Sequence, residues 1–97
     1  NKYDLYRINQ NGYVQIAENN FEQAFAIFER GIELYPDDSN IYDSMGEAKE
    51  KSGDLKGAFY YYSMSLKKLV GEKNKYPKNE YNQREKNYKN NIKRVEE

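Results

Sequence analysis

Three sets of side chains in this 97-residue sequence could carry chemistry. The first is the adjacent carboxylates Asp37-Asp38 and Glu96-Glu97, a grouping from which acid–base catalysis or cation binding can be built. The second is the serines, Ser39, Ser44, Ser52, Ser63 and Ser65, which become nucleophiles only beside a base. The third is lysine interleaved with tyrosine from Lys67 to Lys93, a mixture of cation and ring suited to nucleic acid. Each meets an obstacle. The chain has no His and no Cys, which excludes a Ser–His triad, a thiol nucleophile, a zinc finger and a disulfide framework. No motif supports a lysine base, no Gly-rich phosphate loop occurs, and Asp37 to Tyr42 lacks the glycine and later Glu of a calcium-binding loop. The acidic pairs read better as a helix cap and a terminal charge run. Glu72, Glu80, Glu85, Glu96 and Glu97 interrupt the basic run, which argues against a nucleic-acid partner. The chain is therefore read as non-enzymatic, with no catalytic, cofactor-binding or metal-ligating residue and no cofactor.

The elements that would position any of these residues must come from a thin core. Leu, Ile, Val and Phe supply 18 of 97 residues, under the level at which disorder becomes the default. The net charge of zero and the eleven tyrosines favour folding instead. Charge is unevenly spread. Residues 1–36 carry three basic and five acidic groups, 37–66 three and six, and 67–97 ten and five, so the C-terminal third is basic. No apolar run approaches the length of a membrane span. The first residue is Asn1, from which a missing leader or upstream domain is an expectation; absent cysteine leaves the redox compartment open.

A shift of 34 residues superposes the sequence on itself. Gly12 falls on Gly46, Asn20 on Asp54, Phe21 on Leu55, Ala24 on Ala58, Phe25 on Phe59, Phe28 on Tyr62 and Ile32 on Leu66. Each unit reads as two amphipathic helices. Leu5, Ile8, Gly12 and Ile16 step by three or four residues, and Asn20 with Gln23 forms a capping-box pattern for a second stripe from Phe21 to Tyr35, ended by Pro36. Asp37-Asp38-Ser39 offers the next cap, before Ile41, Tyr42, Met45 and Ala48; Ser52-Gly53-Asp54 turns the chain into Leu55, Ala58, Phe59, Tyr62, Leu66 and Leu69. No stretch alternates as a strand does. The fold class is all-α, and the small residues Gly12 with Ala24, and Gly46 with Ala58, are expected where paired helices approach most closely. Of Tyr60-Tyr61-Tyr62, Tyr62 is the core member, so Tyr60 or Tyr61 must look outward.

These residues resemble the tetratricopeptide repeat family, whose 34-residue unit carries Leu-Gly and a Tyr in its first helix, and an Ala, an aromatic and a Pro in its second. Ile8, Asn11-Gly12, Ala24, Phe28 and Pro36 match in one unit, and Tyr42, Met45-Gly46, Ala58 and Tyr62 in the next. Departures are Asn11 for Leu, Gln15 and Lys49 for Tyr, and Val70 for Pro. The resemblance covers about residues 5–70. It implies two antiparallel helix hairpins, over about 5–38 and 39–72, forming a fragment of a right-handed α-solenoid. A linker at 71–77 would lead to a capping helix over 78–96, its stripe Tyr81, Tyr88, Ile92 and Val95, starting a third unit five residues late. The wording around Asn11-Gly12-Tyr13 and Ile32 to Ala48 is also similar to the short repeat module that follows the catalytic domain of bacterial serine hydrolases, esterase-like or β-lactamase-like. A free-standing module would be cytoplasmic, and the tail of a secreted hydrolase extracytoplasmic.

The family resemblance implies a protein-interaction role through a concave face lined by the first helix of each unit. Helical geometry places Tyr6, Asn9, Tyr13 and Ile16 there from the first unit, Asn40, Asp43, Glu47 and Glu50 from the second, and Asn79, Asn82, Lys86 and Lys89 from the cap. Tyr6 and Tyr13 would stack on an extended peptide and the acidic row would pair with basic side chains; an ordinary solvated helix exterior carries similar charges. The Lys and Asn carboxylate clamp of chaperone-tail binders is absent, since Asn9 and Tyr13 stand in the first unit and Ser44 in the second. Partners left open are a protein or peptide, a missing upstream domain, or a second copy, which would give a mass above 11.6 kDa in solution.

Overall fold

In the computed structural model, which describes residues 2–96, the chain is all-α: α1 (Lys2–Ala17), α2 (Phe21–Leu34), α3 (Ser39–Lys51), α4 (Leu55–Val70) and α5 (Lys78–Val95). Successive helices pack against one another, α1 also touches α3, and the Cα trace spans 36 × 36 × 19 Å, a slab about two helices thick. No strand occurs among the described residues.

The 34-residue period extends to the turns. Asn19 and Gly53, one period apart, hold left-handed backbone with φ of +62° and +93°. In the first turn Asn20 N–H donates to the Gln15 carbonyl at 2.8 Å and Asn19 N–H to that of Ile16 at 2.9 Å. The second repeats this with Asp54 on Lys49 at 2.9 Å and Gly53 on Glu50 at 3.0 Å. Both are the double-bonded helix C-terminus that a left-handed residue allows, filled by the two residue types that adopt it most readily. Capping is less uniform. Asp38 accepts from Ile41 N–H and Asp54 from Gly57 N–H, as their acidic side chains before a helix lead one to expect. Asn20 makes no cap bond. Its amide instead donates to Gln15 Oε1 at 3.1 Å, so the capping-box expectation for α2 fails to a local partner one turn back.

The glycines at the helix contacts show why the hairpins close. A methyl group built on Gly12 would overlap the ring of Phe28, and one built on Gly46 would lie 2.5 Å from Tyr62 Cδ1. These glycines do lie at close approach between paired helices, each making a notch for an aromatic ring from the opposite helix, and Ala24 and Ala58 are fully buried. Phe28 and Tyr62 are fully buried as a result. Gly31 is a third notch, where Ile8 of α1 and Ile41 of α3 would meet a side chain at 3.0 and 2.8 Å; its period mate Ser65 is also buried.

Around the first notch, Ile16, Ala24, Phe28, Ile41, Tyr42, Met45 and Ala48 form the main core, with Phe21, Phe25, Tyr61 and Met64 packed on its edge. Ala58, Tyr62 and Val95, and then Leu69, Tyr81 and Tyr88, form two smaller clusters that hold α5 on α4. Tyr60 is exposed and Tyr61 half-buried, their rings edge-on at 5.0 Å.

Gly12→Ala and Gly46→Ala should each lower unfolding free energy by about 1–3 kcal/mol, because overpacking outweighs the gain in helix propensity. Gly71→Ala, with φ of −75° and nothing nearer than 3.5 Å, should leave it unchanged or raise it by up to about 1 kcal/mol. Urea denaturation of the three variants checks the contrast.

Candidate functional site

A chain of polar side chains crosses the molecule from α1 over α3 to α5. It starts at Asn9, whose Oδ1 accepts from Ser44 Oγ at 2.8 Å, and at Tyr13, whose hydroxyl donates to Glu47 Oε1 at 2.9 Å and lies 3.4 Å from Ser44 Oγ. On the far side of α3, Asp43 Oδ1 accepts from the Asn91 amide at 2.9 Å. Arg94 holds Glu50 with two bonds, Nε to Oε2 at 2.8 Å and Nη2 to Oε1 at 2.7 Å, and the Tyr62 hydroxyl also donates to Glu50 Oε1 at 2.8 Å. The seam rests on the packing beneath it, since Tyr13 sits edge-on to the Phe28 ring at 5.8 Å and Tyr62 fills the Gly46 notch.

Two hollows open on this face. One, of about 250 Å³, is lined by Tyr6, Asn9, Gln10, Tyr13 and Asn40. The other, of about 500 Å³, is lined by Glu47, Glu50, Lys51, Tyr62, Asn91 and Arg94. Thus Tyr6, Asn9, Tyr13, Asn40, Asp43, Glu47 and Glu50 are gathered on one face. Ile16 is not: it is buried in the main core, where its branched apolar side chain belongs. Asn82, Lys86 and Lys89 are exposed but lie off the seam; Asn82 lines a separate hollow with Lys73, Tyr76 and Glu85, and Lys89 pairs with Glu85 at 3.8 Å.

The reason is the phase of α5. Bonded residues of α1 and α3 are 31 to 35 apart, whereas those of α3 and α5 are 44 to 49 apart, so the third helix is set further along than a five-residue insertion implies. Asn91 and Arg94 therefore replace Asn82, Lys86 and Lys89 at the seam. Their spacing of three residues, beside the apolar positions Tyr88 and Val95, is the signal that points to them.

Electrostatics follow from these contacts. Arg94 holds the Glu50 carboxyl below its ordinary range, and Glu50 in return raises the Arg94 guanidinium. Burial, opposed by the Asn91 bond and reinforced by Glu47, lifts the Asp43 carboxyl to about 6. Burial also raises the Tyr13 and Tyr62 hydroxyls, and brings that of Tyr88 to about 12. The α3 row is therefore less available to an incoming cation than its composition suggests, because Glu50 already has Arg94 and Glu47 has Tyr13 and, at 3.9 Å, Lys51.

A second polar junction lies at the start of α3. Glu72, from the 71–77 connection, accepts from Ser39 Oγ at 2.6 Å and from Ser39 N–H at 3.2 Å, while Ser39 Oγ lies 3.3 Å from the Tyr88 hydroxyl and Lys75 pairs with Glu72 at 3.6 Å. A buried carboxylate so satisfied fixes the connection to the helix N-terminus. Among the described residues no group of acidic, His or Cys side chains could hold a metal ion, and no helix is long and apolar enough to cross a membrane. Comparison with family models, curated proteins and solved structures finds no match to this chain.

Asp43 titrates higher in the folded chain than its ordinary 3.8, so the folded state binds more protons between about pH 4 and 6 and loses stability as pH rises through that window. Asp43→Asn should therefore be more stable than the parent at pH 7.5, by on the order of 1–3 kcal/mol, with the gap closing toward pH 4. Denaturation at the two pH values reads the difference directly.

Proposed function

We propose that the chain is a tetratricopeptide-like protein-interaction module of two helix hairpins and a capping helix, binding an extended peptide or partner segment along the α1–α3–α5 face. The single observation that carries the reading is the polar seam, which sets like helices of the 34-residue period side by side through Asn9–Ser44 and Tyr13–Glu47. The ring-in-notch contact repeated at Gly12 and Gly46, and the identical turns at Asn19 and Gly53, support the repeat assignment.

The chemistry of the face narrows the partner. At the hollow of Tyr6, Asn9, Gln10, Tyr13 and Asn40, amides and phenols offer donors and acceptors of the kind a peptide backbone pairs with, and Tyr6 presents an exposed ring for stacking. Glu47 and Glu50 carry negative charge that is already hydrogen-bonded, so they suit orientation of a polar segment more than capture of a strongly basic one. The contribution of this chain is then recognition, with any catalysis left to a partner.

Tyr6→Ala and Asn40→Ala alter the hollow without touching the buried rings, so both should fold as the parent does. Immobilised parent chain should retain partners that these variants lose by at least about tenfold in affinity, the effect of removing one stacked ring or a paired amide. If both variants keep every partner, the assignment of the face is wrong.

A further inference from the structure

The polar contacts that hold α5 on α3 are of unequal kind. Arg94 makes two bonds to Glu50, at 2.8 and 2.7 Å, so opposite charges are matched. Ser39 Oγ and the Tyr88 hydroxyl meet at 3.3 Å as neutral groups. Asp43 differs. Its carboxyl is half-buried between the two helices, and its partner there is the uncharged amide of Asn91, which donates to Oδ1 at 2.9 Å. The groups facing it do little for a negative charge. Glu47, one turn on along α3, repels it; Tyr13 of α1, Tyr62 of α4 and Tyr88 of α5 are neutral phenols; and Arg94, the one cation of the set, is engaged by Glu50. Burial, with Glu47 added, outweighs the Asn91 bond and Arg94, and the acid stays neutral up to about pH 6.

We propose that Asp43 makes α5 a proton-controlled arm: protonated, it holds α5 on α3 as one half of an acid–amide pair, and ionised, it releases the helix from that face. The neutral acid carries an O–H donor that the carboxylate lacks, and the acceptor on the same partner is Asn91 Oδ1, to which no described side chain donates. Protonation also removes the repulsion from Glu47. When α5 lifts away, the carboxyl returns to water and to its ordinary value of 3.8. The docked state therefore binds more protons than the open one between about pH 4 and 6, so docking is strongest at low pH and weakens as pH rises through that window. The rest of the attachment lets α5 move alone. Its apolar contacts are the narrow stripe Tyr81, Tyr88, Ile92 and Val95, whereas α1, α2 and α3 share the main core with Tyr61 and Met64 of α4. Opening carries Asn91 and Arg94 off the seam and needs no bound partner.

Amide hydrogen exchange on the full chain reads the motion, with α5 and α2 compared at pH 5.0 and 7.5 and every rate corrected for intrinsic exchange. Protection across α5 should lie below that of α2 at pH 7.5. Between the two pH values it should fall by about tenfold, the change given by titration at 3.8 in the open state and about 6 in the docked one. Asp43→Asn keeps a neutral donor and acceptor opposite Asn91, so its α5 should be equally protected at both pH values and as protected as the parent at pH 5.0. Carbon-13 NMR of the parent chain, which involves no substitution, should show the Asp43 carboxyl titrating near 6. Equal protection and an equal pH response in α2 and α5 would mean that the chain opens only as a whole, and would overturn the proposal. A tenfold fall that persists in Asp43→Asn overturns it too, as does an Asp43 carboxyl that titrates at its ordinary value.

Discussion

The interaction on which the rest depends is an aromatic ring seated in a glycine notch, made twice. Phe28 against Gly12 and Tyr62 against Gly46 let helices with few large aliphatic residues approach closely enough to bury what they have. A ring fills more volume than any other apolar side chain, so a core poor in Leu, Ile and Val can still reach ordinary packing density if the opposing helix gives way. The cost is borne by glycine in a helix interior, about 1 kcal/mol each against Ala, and the burial of a whole ring outweighs it.

Upon that packing rests a layer of polar contacts that decides how the hairpins sit relative to one another. Helix α5 has only a narrow apolar stripe, so its position is fixed as much by Arg94 on Glu50, Asn91 on Asp43 and Tyr88 beside Ser39 as by Tyr81, Tyr88 and Val95 in the core. Among the described residues no buried side-chain nitrogen or oxygen lacks a hydrogen-bond partner, which is what makes such a polar junction tolerable in a small domain. The same bonds spend the acidic groups of α3 on α1 and α5. The face they leave is polar and hydrogen-bonding rather than strongly charged.

Much of this was legible in the residues. The period of 34, the helix stripes, the caps at Asp38 and Asp54 and the burial of Tyr62, Tyr81 and Tyr88 follow from local spacing and turn chemistry, which act within a few residues of one another. Asn20 shows the limit even at short range, because whether its amide caps forward or bonds Gln15 behind depends on rotamers that spacing does not report. Ile16 was ambiguous for a related reason: it falls at the border between the apolar stripe and the open face, and only the packed neighbours settle a border position.

What the sequence determined by itself is therefore the helices, their turns and the residues able to fill a notch, since these depend on periodicity and on backbone freedom at Asn19 and Gly53. What the tertiary structure decided is the rotation and offset of α5, which bring Asn91 and Arg94 rather than Asn82, Lys86 and Lys89 to α3. A seven-residue connection at 71–77 can end in several registers of the next helix, and the choice among them is made by Glu72 on Ser39 and by two aromatic clusters, contacts between residues far apart in the chain. Local spacing cannot encode a register that only distant partners select.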